Sequence, residues 1–265
     1  MYNAIAIYGT ENISPEEALS FGTQFFQCVN LSITKAGYYK HLTPGDHKGD
    51  HDIFDVSIPD LESKINDGEV TSFRLYTEKK GHTPWLASFG YTTNEFGGFF
   101  HLDAQCPSEL FSHHEIIAFI ENISNSKSFS YGIAYSCDKM SKAFNYAAGN
   151  NLANIYPYEN PSLFKKETPG RFQGEERYKN VLLRMVYPLN ILNEKHLLIE
   201  VDGILLSDWI SNDESRGILK KLNNGLWLWI VKENKLDSIN KCLGDFGILL
   251  SWKITSSKKV TKKMP

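Results

Sequence analysis

The stretch LRMVYPLNILNEKHL, residues 183–197, decides how the second half of this chain is expected to fold. Upstream of Pro188 the side chains are apolar except for Arg184, which is typical of a buried strand. Pro188 has no backbone N–H to donate to a sheet ladder, so it ends such a strand. The pattern predicts a strand over residues 181–187, and Arg184 is expected to need a buried partner.

A short helix is predicted directly after this proline, over residues 190–198. Asn190 or Asn193 can cap it, because an asparagine side chain accepts backbone N–H groups at a helix start. His196 then lies on the helix, whereas Arg184 belongs to the preceding strand. The polar side chains are therefore interpreted as a strand-to-helix corner and not as a catalytic cluster.

The elements downstream of this corner follow a simple order. Their predicted ranges are an extended segment at 199–206, strands at 226–232 and 247–253, and a helix at 235–244. Together with the corner they have the order β-α-β-β-α-β, which is typical of a ferredoxin-like unit.

The first half has a similar pattern with extra strands inserted. Strand 3–8 precedes a helix over 15–31, whose start is marked by the cap Ser14, by Pro15 and by the capping-box residue Glu17. Further strands are predicted at 71–78, 85–93, 98–105 and 129–136, and further helices at 58–66, 113–123 and 138–149. We therefore predict an α+β fold of two ferredoxin-like α/β-sandwich halves with mostly antiparallel sheets, arranged as a pseudo-repeat.

A change in composition separates the two halves. Residues 150–178 are rich in Pro, Gly and Asn and have few periodic apolar positions, so they predict a linker. The predicted domains are an N-terminal half at 1–149, this linker, a C-terminal half at 179–254 and a basic, mobile tail at 255–265.

Composition narrows the class of protein before any residue is singled out. The chain has 265 residues, 42% hydrophobic residues and a formal net charge of −3, which predicts a globular protein without a nucleic-acid partner. The cysteines Cys28, Cys106, Cys137 and Cys242 form no C-x-x-C pair, which favours reduced thiols. Neither a basic leader nor an apolar run of about 18–20 residues is present, so a cytoplasmic protein without a membrane segment is predicted.

The segment AGYYKHLTPGDHKGDHD, residues 36–52, predicts a polar loop that contains imidazole and carboxylate side chains. His47 and His51 are the candidate metal ligands, because the spacing H-x-x-x-H places two imidazoles one turn apart in a helix. Pro44 and Gly45 oppose a helix at this position. A solvated loop is therefore preferred, and no metal or other cofactor is predicted.

An enzyme that uses His101, Asp103 and Cys106 is one alternative. Side chains alternate along a strand, so His101 and Asp103 share one face of the strand predicted at 98–105. A nucleophilic cysteine needs a positioned imidazole that activates its thiolate. No phosphate-binding glycine loop and no nucleophile elbow accompanies these residues, so a polar strand face is preferred. The His- and Asp-rich loop at 41–52 is the other candidate site for such an enzyme.

Further spaced motifs occur downstream of residue 181. They are R-x-V-Y-P-x-N-x-L-x-x-x-H-L from Arg184, V-D-G-x-x-L-x-D-W-I from Val201, G-x-L-x-x-L-x-x-G-L-W-L-W-x-V from Gly217 and L-x-x-x-G-x-L-L from Leu243. Together they resemble bacterial immunity proteins of polymorphic toxin systems, mainly over residues 181–253 and less closely over 131–149. The resemblance implies a protein that the toxin-producing cell makes, that binds and neutralises the cognate toxin, and that has no catalytic residues.

A toxin-binding role requires exposed aromatic and charged side chains, because a few aromatic anchors and an electrostatic rim dominate tight protein pairs. The candidates lie in the loop 36–52 and the linker 150–178, and they are Tyr38, Tyr39, Asp46, Asp50, Asp52, Tyr156 and Tyr158. The preferred function is a non-enzymatic, cytoplasmic protein that binds a toxin or effector protein. The alternatives are the enzyme described above and a small-ligand-binding or anti-phage defence module.

Overall fold

An antiparallel sheet lies at the centre of the fold. The computed structural model describes residues 1–41, 51–95 and 98–253. The strands in these residues are β1 (Tyr2–Tyr8), β2 (Lys35–His41), β3 (His51–Val56), β4 (Ser72–Thr77), β5 (Ala87–Thr92), β6 (His101–Pro107), β7 (Tyr131–Cys137), β8 (Leu189–Asn193), β9 (Glu200–Val201), β10 (Ile204–Leu205), β11 (Ile218–Lys221) and β12 (Leu226–Ile230). The α-helices are α1 (Pro15–Cys28), α2 (Ile58–Asn66), α3 (His113–Ser126), α4 (Met140–Ala147), α5 (Pro161–Glu167), α6 (Glu194–Leu197), α7 (Leu206–Ser211) and α8 (Leu236–Asp245). Within these ranges, no helix has the length and apolar character that crossing a membrane requires.

Strands from both predicted halves lie in this sheet. The order across it is β11-β12-β8-β7-β1-β6-β5-β4-β2-β3, all neighbours are antiparallel, and β9 and β10 form a separate pair. The predicted α+β class with mostly antiparallel strands is confirmed. The pseudo-repeat and the domain division stay predictions, and the tail predicted at 255–265 lies outside the described residues.

Two hydrophobic cores lie on opposite faces of the sheet, because side chains alternate along each strand. On β1, Ile5 and Ile7 belong to the first core, whereas Ala4, Ala6 and Tyr8 belong to the second. Helices α1, α2 and α3 cover the first core. Helices α4, α5, α7 and α8 cover the second core, so the protein has three layers with the sheet in the middle.

Local sequence signals place the helices that cover the first core. Ser14 caps α1, Pro15 is its first residue and Glu17 completes a capping box, as predicted. Ser112 and Glu115 form the same arrangement at the start of α3. These side chains satisfy backbone N–H groups that a helix leaves unpaired in its first turn.

The strand predicted at 181–187 is wrong. The strand in this region is β8, which begins directly after Pro188 instead of ending before it. The backbone of Tyr187 bonds with a side chain, since its N–H donates to Asn190 Oδ1 (3.0 Å) and its carbonyl accepts from Asn190 Nδ2 (2.7 Å). A backbone whose polar groups are satisfied in this way needs no sheet ladder.

Two further elements of the second half differ from their predictions. The helix predicted over 190–198 is confined to α6 with Asn193 as its cap, because the preceding residues join the sheet. The strand predicted at 247–253 is wrong, because this segment lies over the second core, where Leu249 makes an isolated bridge to Leu183 and Trp252 makes one to Glu159. Residues 189–245 therefore follow the order β-α-β-β-α-β-β-α.

The prediction of a loop over 36–52 is wrong where the structure describes this segment. Its two ends are strands β2 and β3, which pair with each other, while residues 42–50 lie outside the described residues. Ala36 and Tyr38 explain the strand, because alternate side chains of β2 pack in the first core.

The segment predicted as a linker, 150–178, is ordered and packed. It contains α5 and two short 3-10 turns, and it contributes Phe164 and Tyr178 to the second core. This segment therefore helps to build the surface described next.

Candidate partner-binding surface

Three aromatic side chains form a row on the side of the second core. Tyr156 and Tyr158 stack with ring centroids 5.3 Å apart and an interplanar angle of 6°. Trp252 extends the row, with its ring 5.2 Å from that of Tyr158 and tilted by 49°. We call Tyr156, Tyr158 and Trp252 the aromatic platform, and each of the three residues is half-buried.

The platform forms where a turn over residues 155–158 leads into an isolated bridge between Glu159 and Trp252. Asn160 N donates to the carbonyl of Ser251 (2.7 Å), which holds the two segments together. Glu159 N donates to the carbonyl of Tyr156 (3.2 Å), and this turn is where the rings of Tyr156 and Tyr158 stack. Glu159 itself is buried.

The phenol groups of the platform are held by hydrogen bonds. The Tyr156 hydroxyl donates to the carbonyl of Val186 (2.9 Å), and the Tyr158 hydroxyl donates to Asp237 Oδ1 on α8 (2.8 Å). Burial raises the pKa of both phenols, and the carboxylate of Asp237 raises that of Tyr158 further. Both phenols are therefore neutral donors near neutral pH, and these bonds fix the orientation of the two rings.

Two clefts flank the platform. One has a volume of about 510 Å³, and its walls include Asn3, Tyr135, Tyr156, Pro188, Glu233 and Leu236. The other has a volume of about 360 Å³ and is lined by Tyr158, Asp237, Lys241, Asp245, Trp252 and Lys253. Concave surfaces beside half-exposed rings are places where a partner can bury its own side chains.

A buried ion pair lies beneath the platform and confirms that Arg184 needs a buried partner. Arg184 Nε lies 3.7 Å from Glu159 Oε1, and neither side chain is exposed. The guanidinium packs on the rings of Tyr146 (3.7 Å) and Phe164 (3.8 Å). Glu159 also accepts from the Tyr146 hydroxyl (2.7 Å) and from the N–H of Ile155 (3.0 Å), one residue before the platform. The ion pair thus anchors the segment that carries the two tyrosines.

The predicted partner-binding residues lie in two separate regions. The platform contains Tyr156 and Tyr158. Strand β2 carries Tyr38 and Tyr39 six positions from β8 in the sheet order, or about 29 Å away at about 4.8 Å per strand. Tyr38 is buried in the first core, stacked on Phe54 with ring centroids 5.2 Å apart. Tyr39 is half-buried on the opposite face of the sheet.

The remaining predicted residues belong to the hairpin between β2 and β3. Asp46, His47 and Asp50 lie outside the described residues, and only the backbone of His51 and Asp52 is described. Among the described residues, no group of three or more His, Cys, Asp and Glu side chains is arranged to hold a metal ion.

The alternative that groups His101, Asp103 and Cys106 as a nucleophilic set does not fit the structure. All three residues lie on β6, but alternation places Cys106 in the first core and the other two on the opposite face. Burial raises the pKa of the Cys106 thiol to about 12 and lowers that of the His101 imidazole to about 4. The thiol is therefore protonated, and the sheet separates it from the imidazole.

A polar network that the sequence analysis did not single out surrounds Asp103. Arg74 on β4 donates to Asp103 Oδ1 (2.8 Å) and to Ser88 Oγ (3.1 Å). Gln105 donates to Asp103 Oδ2 (2.5 Å) and accepts from Ser88 Oγ (2.7 Å). Burial opposes ionisation of Asp103, but the Arg74 guanidinium outweighs burial and lowers the pKa of this carboxyl. One signal was available in the sequence, because Arg74, like Arg184, is a charged residue within a largely apolar run.

Comparisons with known proteins find a likeness in fold. No protein-family model matches the sequence. No curated protein matches it either. Among solved structures, the Pseudomonas aeruginosa T6SS protein PA0821 is similar with a TM-score of 0.57 and 11% sequence identity, over 94% of this chain and 73% of that chain. At this identity the likeness concerns the fold alone.

Proposed function

We propose that this protein binds a cognate toxin or effector protein in the cytoplasm and neutralises it by covering part of its surface. The observation that carries the proposal is the aromatic platform between two clefts. Tyrosine and tryptophan rings supply large contact areas with few rotatable bonds, and such rings often dominate the energetics of protein interfaces. A neutralising protein of this kind needs no catalytic group of its own.

The buried contacts beneath the platform support the proposal. Val186 and Asp237 orient the two tyrosine rings, and Glu159 holds the backbone beside them. A surface that is ordered before its partner arrives loses less conformational entropy on binding than a mobile one.

Two comparisons point in the same direction. PA0821 is named as a T6SS protein, and the fold of this chain is similar to it over 94% of its length. The motifs that resemble immunity proteins of polymorphic toxin systems lie in residues 181–253. This range includes the platform residue Trp252 and also Asp237, which accepts a hydrogen bond from Tyr158. The first comparison concerns the fold alone and the second concerns sequence motifs, and both are consistent with the proposal.

The test begins with a search for a toxin or effector gene beside the gene for this protein and uses the toxin domain that such a gene encodes. We expect co-expression to restore growth of a susceptible bacterium and the two purified proteins to co-elute in size-exclusion chromatography. Continued growth arrest together with separate elution would overturn the proposal.

A variant pair tests the platform itself. Tyr158→Ala combined with Trp252→Ala should weaken toxin binding by about 30-fold or more, which is the loss expected if at least one of the two residues is a hot spot that contributes about 2 kcal/mol. Phe172→Ala is the matched control, since Phe172 is an aromatic residue with 45% exposure outside the platform. Equal neutralisation by the platform variant and wild type, at equal melting temperature, would reject the platform as the interface.

A further inference from the structure

A small polar cavity lies on the face of the sheet that carries the second core. Its volume is about 60 Å³, and its lining includes Tyr39, Arg74, Thr92, His101, Phe144 and Asn150. Strands β4, β5 and β6 contribute its floor, and α4 contributes Phe144. Pockets for whole drug-sized ligands have volumes of about 300–1,000 Å³, so this cavity suits a single small chemical group.

Arg74 is held in place at this cavity. A guanidinium has five N–H donors. Asp103 Oδ1 (2.8 Å), Ser88 Oγ (3.1 Å) and Gln105 Oε1 (3.5 Å) take three of them. The guanidinium carbon lies 4.5 Å from the ring centroid of Phe144, and the side chain is 10% exposed. The cavity is therefore lined by a fixed cation that has donors to spare.

Gly90 has no side chain, and the Arg74–Asp103 ion pair occupies the space that a side chain would fill. Gly90 is the neighbour of Arg74 on β5 in the sheet register. A Cβ at Gly90 would lie 2.1 Å from Arg74 Nη2 and 2.7 Å from Asp103 Oδ1, so the guanidinium and the carboxylate would have to shift. The absence of a side chain at this position lets the ion pair lie flat on the sheet beside the cavity.

The charges around the cavity favour an anion. Lys165 Nζ donates to Asn150 Oδ1 (3.0 Å) and to the carbonyl of Ala148 (3.4 Å), and both acceptor residues line the cavity. Arg74 and Lys165 thus bring two positive charges against the one negative charge of Asp103. His101 adds no charge near neutral pH, because burial lowers its pKa to about 4. Thr92 also lines the cavity, and a threonine hydroxyl can donate a hydrogen bond.

We propose that this cavity binds a small oxyanion, either a carboxylate or a phosphate group, with Arg74 as its main charged partner. Hydrogen bonds between a guanidinium and such anions are charge-assisted and stronger than neutral ones. The proposal goes beyond toxin binding and does not depend on it, because the cavity shares no lining residue with the platform or its two clefts.

The experiment titrates the full chain with sodium acetate and with inorganic phosphate at constant ionic strength, using isothermal titration calorimetry. We expect saturable binding of at least one anion. Lys165→Met and Thr92→Val should each weaken it by about tenfold, and Arg74→Lys by more, because each removes a hydrogen bond or a charge from the anion. The control is Lys220→Met, which removes a lysine with 53% side-chain exposure on β11 and should change nothing.

Each result has a defined meaning once melting curves show that the variants are folded. Binding of acetate but not phosphate assigns a carboxylate group, and the reverse result assigns a phosphate group. Absence of saturable binding by both anions overturns the proposal. Binding that Lys165→Met, Thr92→Val and Arg74→Lys all leave at wild-type strength also overturns it, because the anion then lies elsewhere.

Discussion

Arg184 and Glu159 face each other in the second core, 3.7 Å apart from Nε to Oε1, at a depth that solvent does not reach. Arg184 Nη1 donates to the Tyr8 hydroxyl (3.1 Å) and to the carbonyl of Tyr146 (2.8 Å). Its Nε and Nη2 have no hydrogen-bond partner among the described residues. The guanidinium therefore depends on the nearby carboxylate and on the aromatic rings that enclose it.

Replacement of one member of this pair should destabilise the protein strongly. Arg184→Met leaves the Glu159 carboxylate buried without its counter-charge, so we expect the free energy of unfolding to fall by about 3–5 kcal/mol. The double variant with Glu159→Gln should lose less than the sum of the two single variants, because the residues interact directly. Urea denaturation of the four proteins measures these differences. Strictly additive losses would show that the two side chains act independently.

Prediction from sequence succeeded where the deciding contacts are local. Ser14 and Ser112 mark the starts of α1 and α3, because the groups they bind lie within three residues. The segment 181–187 was mistaken for a strand because its backbone partners are distant in sequence, as with Val186 N, which donates to Asn240 Oδ1 (2.8 Å). Apolar periodicity alone does not distinguish such a segment from a strand in a sheet.

The candidate site shows the same difference between features that depend on local contacts and features that depend on contacts distant in sequence. Tyr156 and Tyr158 can be chosen as candidates from their own segment, whereas the position of Trp252 beside them depends on an isolated bridge between residues distant in sequence. Cys106 and His101 are five positions apart on one strand. Because successive side chains of a strand point to opposite faces, an odd separation places these two on different faces of the sheet.

Acid should destabilise the fold through two buried histidines. Burial lowers the pKa of His101 and of His196 from the ordinary value of 6.5 to about 4. Between these values the unfolded chain binds protons that the folded chain does not, so the free energy of unfolding falls as the pH decreases from 6.5 to 4. Each histidine should contribute a slope of up to about 1.4 kcal/mol per pH unit.

Denaturation of His196→Gln across this pH range isolates one of the two contributions. In the wild type, His196 Nε2 lies 2.9 Å from the Tyr178 carbonyl and Nδ1 lies 3.3 Å from the N–H of Asn193, which suits a neutral ring. The variant cannot take up this proton on unfolding, so its pH slope should be smaller by the contribution of one histidine. A variant whose slope matches the wild type would show that His196 is not buried as a neutral group.

Gly244 on α8 controls the position of Trp252. A Cβ at Gly244 would lie 2.2 Å from Trp252 Cδ2, so Gly244→Ala should displace the indole ring from the platform. Alanine is the better helix former by about 1 kcal/mol, and any loss of stability therefore comes from this contact. The indole N–H signal of Trp252 in NMR spectra should shift, while Ser238→Ala, at an exposed position of the same helix that lines neither cleft, should leave it in place. An unshifted signal in Gly244→Ala would contradict the packing.

Two glycines on either side of Arg74 provide a matched comparison for the polar network. Gly37 and Gly90 are its neighbours on β2 and β5 in the sheet register. A Cβ at Gly90 would collide with Arg74 Nη2 at 2.1 Å, whereas a Cβ at Gly37 would meet Asp55 Oδ1 at 3.5 Å, an ordinary contact.

Gly90→Ala should therefore reduce the free energy of unfolding by about 1–3 kcal/mol through overpacking. Gly37→Ala should leave stability unchanged or raise it by about 0.5–1 kcal/mol, because alanine loses less backbone freedom than glycine on folding. Urea denaturation of both variants measures the difference, and an NMR comparison shows whether the shifts concentrate around Arg74 and Asp103. Equal free energies of unfolding for the two variants would mean that the Arg74–Asp103 ion pair shifts at no energetic cost. The fold would then not require glycine at position 90.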